Sequence, residues 1–234
     1  MASAPPEART ASAVGTRAAM PRIAGLYAVT PDEPVTSRLV ALVIGALEGG
    51  VRWIQYRNKT AGPNLLREQA LALRAACERY GAHLIVNDHV GLAREINAAG
   101  VHIGAADGEI SAARDAIGRS RILGVSCYAS VGLAQAAERS GADYIAFGSV
   151  FASTTKPQAP RAVLGLFAQA RAQGIALPLV GIGGITLHNI GELIGSGADA
   201  AAVIAALFSD PDPKRVRAEA QALVACFAAR RERA

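Results

Sequence analysis

From Ile23 onward, short β-rich runs alternate with longer Ala/Leu-rich segments eight times over, and this alternation narrows the possible folds more than any other property of the chain. The runs at 23–30, 52–57, 82–88, 100–104, 121–128, 142–150, 177–184 and 198–205 read as strands. The segments at 35–49, 63–80, 90–99, 109–118, 131–140, 161–173, 187–196 and 212–232 carry apolar residues at i, i+3, i+4 spacing and read as helices. Strict β-α alternation requires parallel strands joined by right-handed crossovers, because each connection must travel back across a face of the sheet. Eight such units in about 210 residues predict a closed α/β structure, a (β/α)8 TIM barrel formed as a single domain; a doubly wound open sheet is the alternative. Gly50, Gly81, Gly100, Gly141, Gly174 and Gly197 stand just before the next strand, where helices commonly end.

With 234 residues, 51% of them hydrophobic, the chain can bury a substantial core. Net charge is +5, but aromatic residues make up only 5% and no Lys/Arg block tracks a nucleic-acid backbone, so nucleic acid is not an expected partner. Part of the charge excess sits at the ends, at Arg9, Arg17 and Arg22 and again at Arg230, Arg231 and Arg233. No apolar run reaches the roughly 18 residues of a spanning helix, so a soluble protein with no membrane partner is expected. The opening MASAPPEARTASAVGTRAAM lacks a continuous apolar stretch of the secretory kind. It reads as a disordered tail over residues 1–20 ahead of a barrel over 21–234, with Met20 a second possible translation start. Cys77, Cys127 and Cys226 form no CxxC pair, which fits buried free thiols in a reducing, cytoplasmic setting.

In a barrel of this kind the chemistry lies at the C-terminal ends of the strands and in the loops that follow. Polar residues gather there. Gln55, Arg57 and Lys59 alternate at the end of the second run, where an arginine fork and a lysine point charge suit a pyrophosphate better than a single carboxylate. Asn87 and Asp88 end the third run, Asp107 follows the fourth and Ser126 ends the fifth. Two aspartates from adjacent strands, with phosphate oxygens supplied by a substrate, are a common way of holding Mg2+. Ser153, Thr154, Thr155 and Lys156 follow the sixth run, and Gly181-Ile182-Gly183-Gly184 ends the seventh, where a barrel often binds a phosphate through backbone N–H groups. His83, His102 and His188 read as structural, and no Ser/His/Asp or Cys/His pairing at catalytic spacing is present.

Taken in order, QYRNK, VNDHVGLA, GVHIG with Asp107, GVS, FGSVFASTTKP, GIGGIT and the GAD…VIAAL end resemble the thiamine-phosphate synthase family over residues 23–209. The resemblance implies condensation of a hydroxymethylpyrimidine diphosphate with a thiazole phosphate, releasing pyrophosphate and giving thiamine phosphate, with Mg2+ as cofactor and these small molecules as partners. It implies that Gln55, Tyr56, Arg57, Asn58, Lys59 and Asn87 contact the pyrimidine diphosphate and that Asp88 and Asp107 bind the metal. Ser126 and Lys156 would make further diphosphate contacts, with Arg57, Lys59, Ser126 and Lys156 the catalytic set. Ser153, Thr154 and Thr155 would meet the thiazole phosphate, whose phosphate would lie against Gly184 and the backbone of Ile204 and Ala205. The implied mechanism is loss of pyrophosphate to give a pyrimidine methyl cation, trapped by the thiazole nitrogen. Three departures from the family pattern stand out: Ala105-Ala106 before the strand-four aspartate, Ala205 for a usual serine, and Ser149 and Ala152 where prolines are frequent. The rivals are a thiazole tautomerase-like isomerase of the same fold, which would place a histidine where this chain reads Ser126-Cys127-Tyr128, and a non-catalytic phosphate-binding barrel. The oligomeric state, monomer or homodimer, is not legible.

Overall fold

The computed structural model describes residues 20–104, 110–152 and 162–231. Eight parallel strands close into a barrel in chain order: β1 (Gly25–Val29), β2 (Trp53–Tyr56), β3 (His83–Asn87), β4 (Gly100–Gly104), β5 (Ile122–Ser126), β6 (Tyr144–Gly148), β7 (Leu179–Ile182) and β8 (Ala200–Val203), with β8 returning to β1. The intervening helices are α1 (Thr36–Glu48), α2 (Pro63–Arg79), α3 (Val90–Glu95), α4 (Ile110–Ile117), α5 (Val131–Arg139), α6 (Gly165–Ala172) and α7 (Ile190–Gly195). A four-residue helix, α8 (Ala205–Phe208), precedes α9 (Pro213–Arg231). The open-sheet alternative is excluded by the β1–β8 ladder, which pairs Gly25 with Ala200 and Ala28 with Val203. The expected eighth strand is shorter than read: Ile204 leaves the extended conformation at φ −118, ψ −79, and the Ala-rich end of the run coils into α8. Similarly α3 stops before 99 because Asn97 turns left-handed at φ 53.

Strand parity divides the apolar residues into two cores. One face of each strand packs on the helices, with Ile54, Leu84, Val101, Leu123, Ile145 and Leu179 all buried against them. The other face fills the barrel: Tyr27, Val29, Trp53, Ile85, Ile122, Tyr144, Ala146, Val180, Ala200 and Ala202 form a separate cluster. The interior is a packed core whose composition turns polar toward the C-terminal ends of the strands. Helix α9 packs on α1 and closes the ring of helices; a Cβ at Gly45 would collide with the Pro213 carbonyl oxygen and one at Gly49 with the Ala220 side chain. Among the described residues no helix is long and apolar enough to cross a membrane.

Candidate active site

A cavity of about 570 Å³ opens at the C-terminal ends of the strands. Its polar lining comes from Gln55, Arg57, Asn87, His102, Ser126 and Ser149, and its apolar walls include Val29, Ala146, Ile182, Ala202 and Ile204.

Arg57 is positioned from β1. Beyond the end of β2, the Thr30 hydroxyl donates to the Arg57 carbonyl at 2.8 Å and accepts from the Arg57 N–H at 2.9 Å, extending the β1–β2 pairing by one side-chain bracket. Asp32, in the loop after β1, accepts from the Arg57 guanidinium at 3.2 Å and from the Lys59 backbone N–H at 2.8 Å. One carboxylate thus orients the arginine and fixes the turn that follows. Tyr56 and Asn58 have the opposite parity. The Tyr56 hydroxyl donates to Gln69 Oε1 at 2.9 Å, and Asn58 Nδ2 donates to the Glu33 carbonyl at 2.9 Å and to Gln69 Oε1 at 3.0 Å. Both side chains are buried and tie the β1–α1 loop to α2, and neither lines the cavity. Lys59 is exposed and its side chain lies outside the lining as well.

Asp88 follows β3 with φ 61, its N–H donating to the His102 carbonyl at 2.8 Å. Its side chain is exposed, and among the described residues it accepts a 2.7 Å hydrogen bond from Asn87 Nδ2. Arg57 takes Asp32 as its ion-pair partner, and among the described residues no ion pair involves Asp88, whose carboxylate is of the hard-oxygen kind that suits a divalent ion. Asp107 lies outside the described residues, as do Ser153, Thr154, Thr155 and Lys156. Among the described residues no group of three or more metal-ligating side chains occurs.

Inside the cavity floor runs a chain of hydrogen bonds that sequence reading did not find. Gln55 Nε2 donates to the Tyr27 hydroxyl at 2.8 Å; Tyr27 and Tyr144 hydroxyls lie 2.9 Å apart; the Tyr144 hydroxyl meets His102 Nδ1 at 2.8 Å; and His102 Nε2 meets Ser126 Oγ at 2.8 Å. His102 is therefore part of the site and not merely of the core. Parity held the signal: His102 shares a strand face with Gly100 and Gly104, and Gly104 pairs with Ser126. Burial holds the His102 imidazole neutral, lowering its pKa from 6.5 to about 4, and pushes both tyrosine hydroxyls well above their ordinary value.

On the opposite side of the mouth, Gly183 and Gly184 adopt φ +104 and +64, and Gly184, Ile204 and Ala205 line the cavity. The two glycines also have a packing role, since a Cβ at Gly183 would strike the Ser149 side chain and one at Gly184 the Ala152 carbonyl oxygen. Ser149 is buried and donates to the Phe151 carbonyl at 2.7 Å, which ties the start of the β6 loop locally.

The model of the family described as "Thiamine monophosphate synthase" matches residues 26–207. A thiamine-phosphate synthase of Methylobacillus flagellatus is 52% identical over 197 residues, covering 84% of this chain and 93% of that protein. One of Thiobacillus denitrificans is 49% identical over 201 residues, covering 86% and 95%. Among solved structures, a thiamine phosphate pyrophosphorylase from Pyrococcus furiosus superposes with a TM-score of 0.76 at 33% identity, over 88% of this chain and 96% of that one.

Proposed function

This chain belongs to the thiamine monophosphate synthase family, and from that premise we propose how the mouth of its barrel condenses 4-amino-2-methyl-5-hydroxymethylpyrimidine diphosphate with a thiazole phosphate. It is an enzyme of thiamine biosynthesis, a transferase that yields thiamine phosphate and pyrophosphate. The observation that carries the assignment of roles is the separation of two anion-favouring regions across one cavity. Arg57, Ser126 and Asn87 lie on the β2–β5 side, and Gly184 with the backbone of Ile204 and Ala205 lies on the β7–β8 side. The first region receives the diphosphate and the second the single phosphate, so the pyrimidine methylene and the thiazole nitrogen meet between them.

Carbon–oxygen cleavage concentrates negative charge on departing pyrophosphate. Arg57, preset by Asp32 and Thr30, stabilises that charge without reorganising, and Lys59 and Lys156 add cations from the two flanking loops. Asp88 and Asp107 would hold Mg2+, which when bound supplies further positive charge against the leaving group. Gln55 meets the pyrimidine, and Ser126 donates to a diphosphate oxygen. Water would compete with the thiazole nitrogen for the methyl cation, and the apolar walls at Val29, Ile182, Ala202 and Ile204 limit its access. No protein nucleophile is needed.

Purified protein given both substrates and Mg2+ is expected to release pyrophosphate and form thiamine phosphate in equal amounts. Substitution Asp88→Ala is expected to lower kcat at least tenfold, with partial recovery as Mg2+ is raised. Tight binding of both substrates without product would instead favour a non-catalytic barrel, and a metal titration identical in wild type and variant would remove Asp88 from the metal site.

A further inference from the structure

The hydrogen bonds on the cavity floor cross from β2 through β1, β6 and β4 to β5 and join three cavity-lining groups, Gln55, His102 and Ser126, through two tyrosines, Tyr27 and Tyr144, that sit deeper. Each link is short, and the participants are almost fully enclosed: Tyr27 is 1% exposed, Tyr144 0%, Gln55 4% and His102 7%. Such a chain has a sense, because every hydroxyl has one proton to place and a neutral imidazole has one N–H and one bare nitrogen.

We propose that Tyr27, Tyr144 and His102 are positioning residues that carry a one-way hydrogen-bond relay from Gln55 to Ser126, leaving the Ser126 proton directed into the cavity and the Gln55 carbonyl oxygen free as an acceptor. Starting at Gln55, the amide Nε2 can only donate, so Tyr27 accepts there. Among the described residues the acceptor within reach of the Tyr27 proton is the Tyr144 oxygen, so Tyr27 donates to Tyr144. Tyr144 then donates to His102 Nδ1, which makes His102 the Nε2–H tautomer, and Nε2–H donates to Ser126 Oγ. The Ser126 proton has no described acceptor and faces the cavity that this residue lines.

A rotated Gln55 amide would set the reverse sense, in which Ser126 spends its proton on His102 Nε2. The role proposed for Ser126 selects the first. A diphosphate oxygen only accepts hydrogen bonds, so a serine that meets it must donate. The relay thus rests on the proposed reading of the site, and it explains why Tyr27 and Tyr144, which lie beneath the cavity lining, and the enclosed His102 are polar where a barrel interior is ordinarily apolar. Packing holds the middle of the chain in place. Tyr144 stacks on His102 with ring centroids 5.5 Å apart and meets Tyr27 edge-on at 6.0 Å. It occupies the recess left by Gly124, where any Cβ would collide with its ring.

The test is nitrogen-resolved NMR of the histidines in the ligand-free enzyme, with the His102 signals identified by their loss in His102→Gln. The wild type is expected to show the neutral Nε2–H tautomer, and the Nδ1–H tautomer would overturn the proposal. In Tyr144→Phe, which keeps the ring in its recess and removes one link, the tautomer preference is expected to disappear and kcat to fall roughly tenfold, with both KM values changed by less than about twofold. A pure Nε2–H tautomer in that variant, or a loss confined to KM, would equally overturn it. Since the tautomer is read without substrate, failure of the relay leaves the functional reading standing; an inactive wild type with the expected tautomer fails the function and leaves the relay.

Discussion

Arg57 reaches the cavity because one threonine and one aspartate hold it there, and neither was visible as a site residue in the sequence. Thr30 and Asp32 lie 27 and 25 residues before Arg57, and only the β1–β2 pairing brings them beside it. What was legible at this scale was parity: alternate positions after Trp53 place Gln55 and Arg57 on the inner face. The same rule, applied to Tyr56 and Asn58, turns them outward, and their partners are Gln69 and Glu33. The cysteines were read as free, and they are, although Cys226 is only half-buried. Burial pushes the Cys77 and Cys127 thiols up to about 12, so at pH 8 both stay protonated and unreactive. Iodoacetamide is expected to label Cys226 in the folded protein and all three cysteines after denaturation; mass spectrometry of folded protein carrying label at Cys77 or Cys127 would contradict this.

At the scale of elements, the eight strands and the order of helices were legible because both periods are local. The bonds that tie one βα unit to the next were not. Arg114 on α4 donates to the carbonyls of Gly118, Arg121 and Gly141 and to the Asp143 carboxylate, which also accepts from the Leu123 N–H at 2.8 Å. Arg171 on α6 repeats the device, donating to Ile175 and Leu177 carbonyls and to Asp199, which accepts from the Leu179 N–H at 2.7 Å. Each arginine satisfies carbonyls in the helix-to-strand turn and clamps the base of two neighbouring strands, at the end of the barrel away from the cavity. The copies differ in burial: the Arg114 side chain is 10% exposed and that of Arg171 36%. Arg114→Ala is therefore expected to cost about 3 kcal/mol in denaturant unfolding and Arg171→Ala about 1 kcal/mol, since solvent can replace the second. Equal losses would show that the carbonyl contacts, and not burial, set the strength of the clamp.

Across the whole molecule, the barrel separates stability from chemistry: the arginine clamps brace one end, the α1–α9 contact closes the ring of helices, and the polar lining opens at the other end. The expectation that the mouth binds anions rests on the clustering of cations and glycines that the sequence places after β2, β6 and β7. The relay beneath it could not be read there, because it needs the closed ring to bring β1, β4 and β6 to a common interior. The central claim is that one cavity keeps two anion regions apart, the diphosphate on the β2–β5 side and the single phosphate on the β7–β8 side. Titration calorimetry of Arg57→Ala with each substrate alone tests this most directly. The pyrimidine diphosphate is expected to bind roughly tenfold to a hundredfold more weakly and the thiazole phosphate within about twofold of wild type; equal weakening of both would contradict the two-region account.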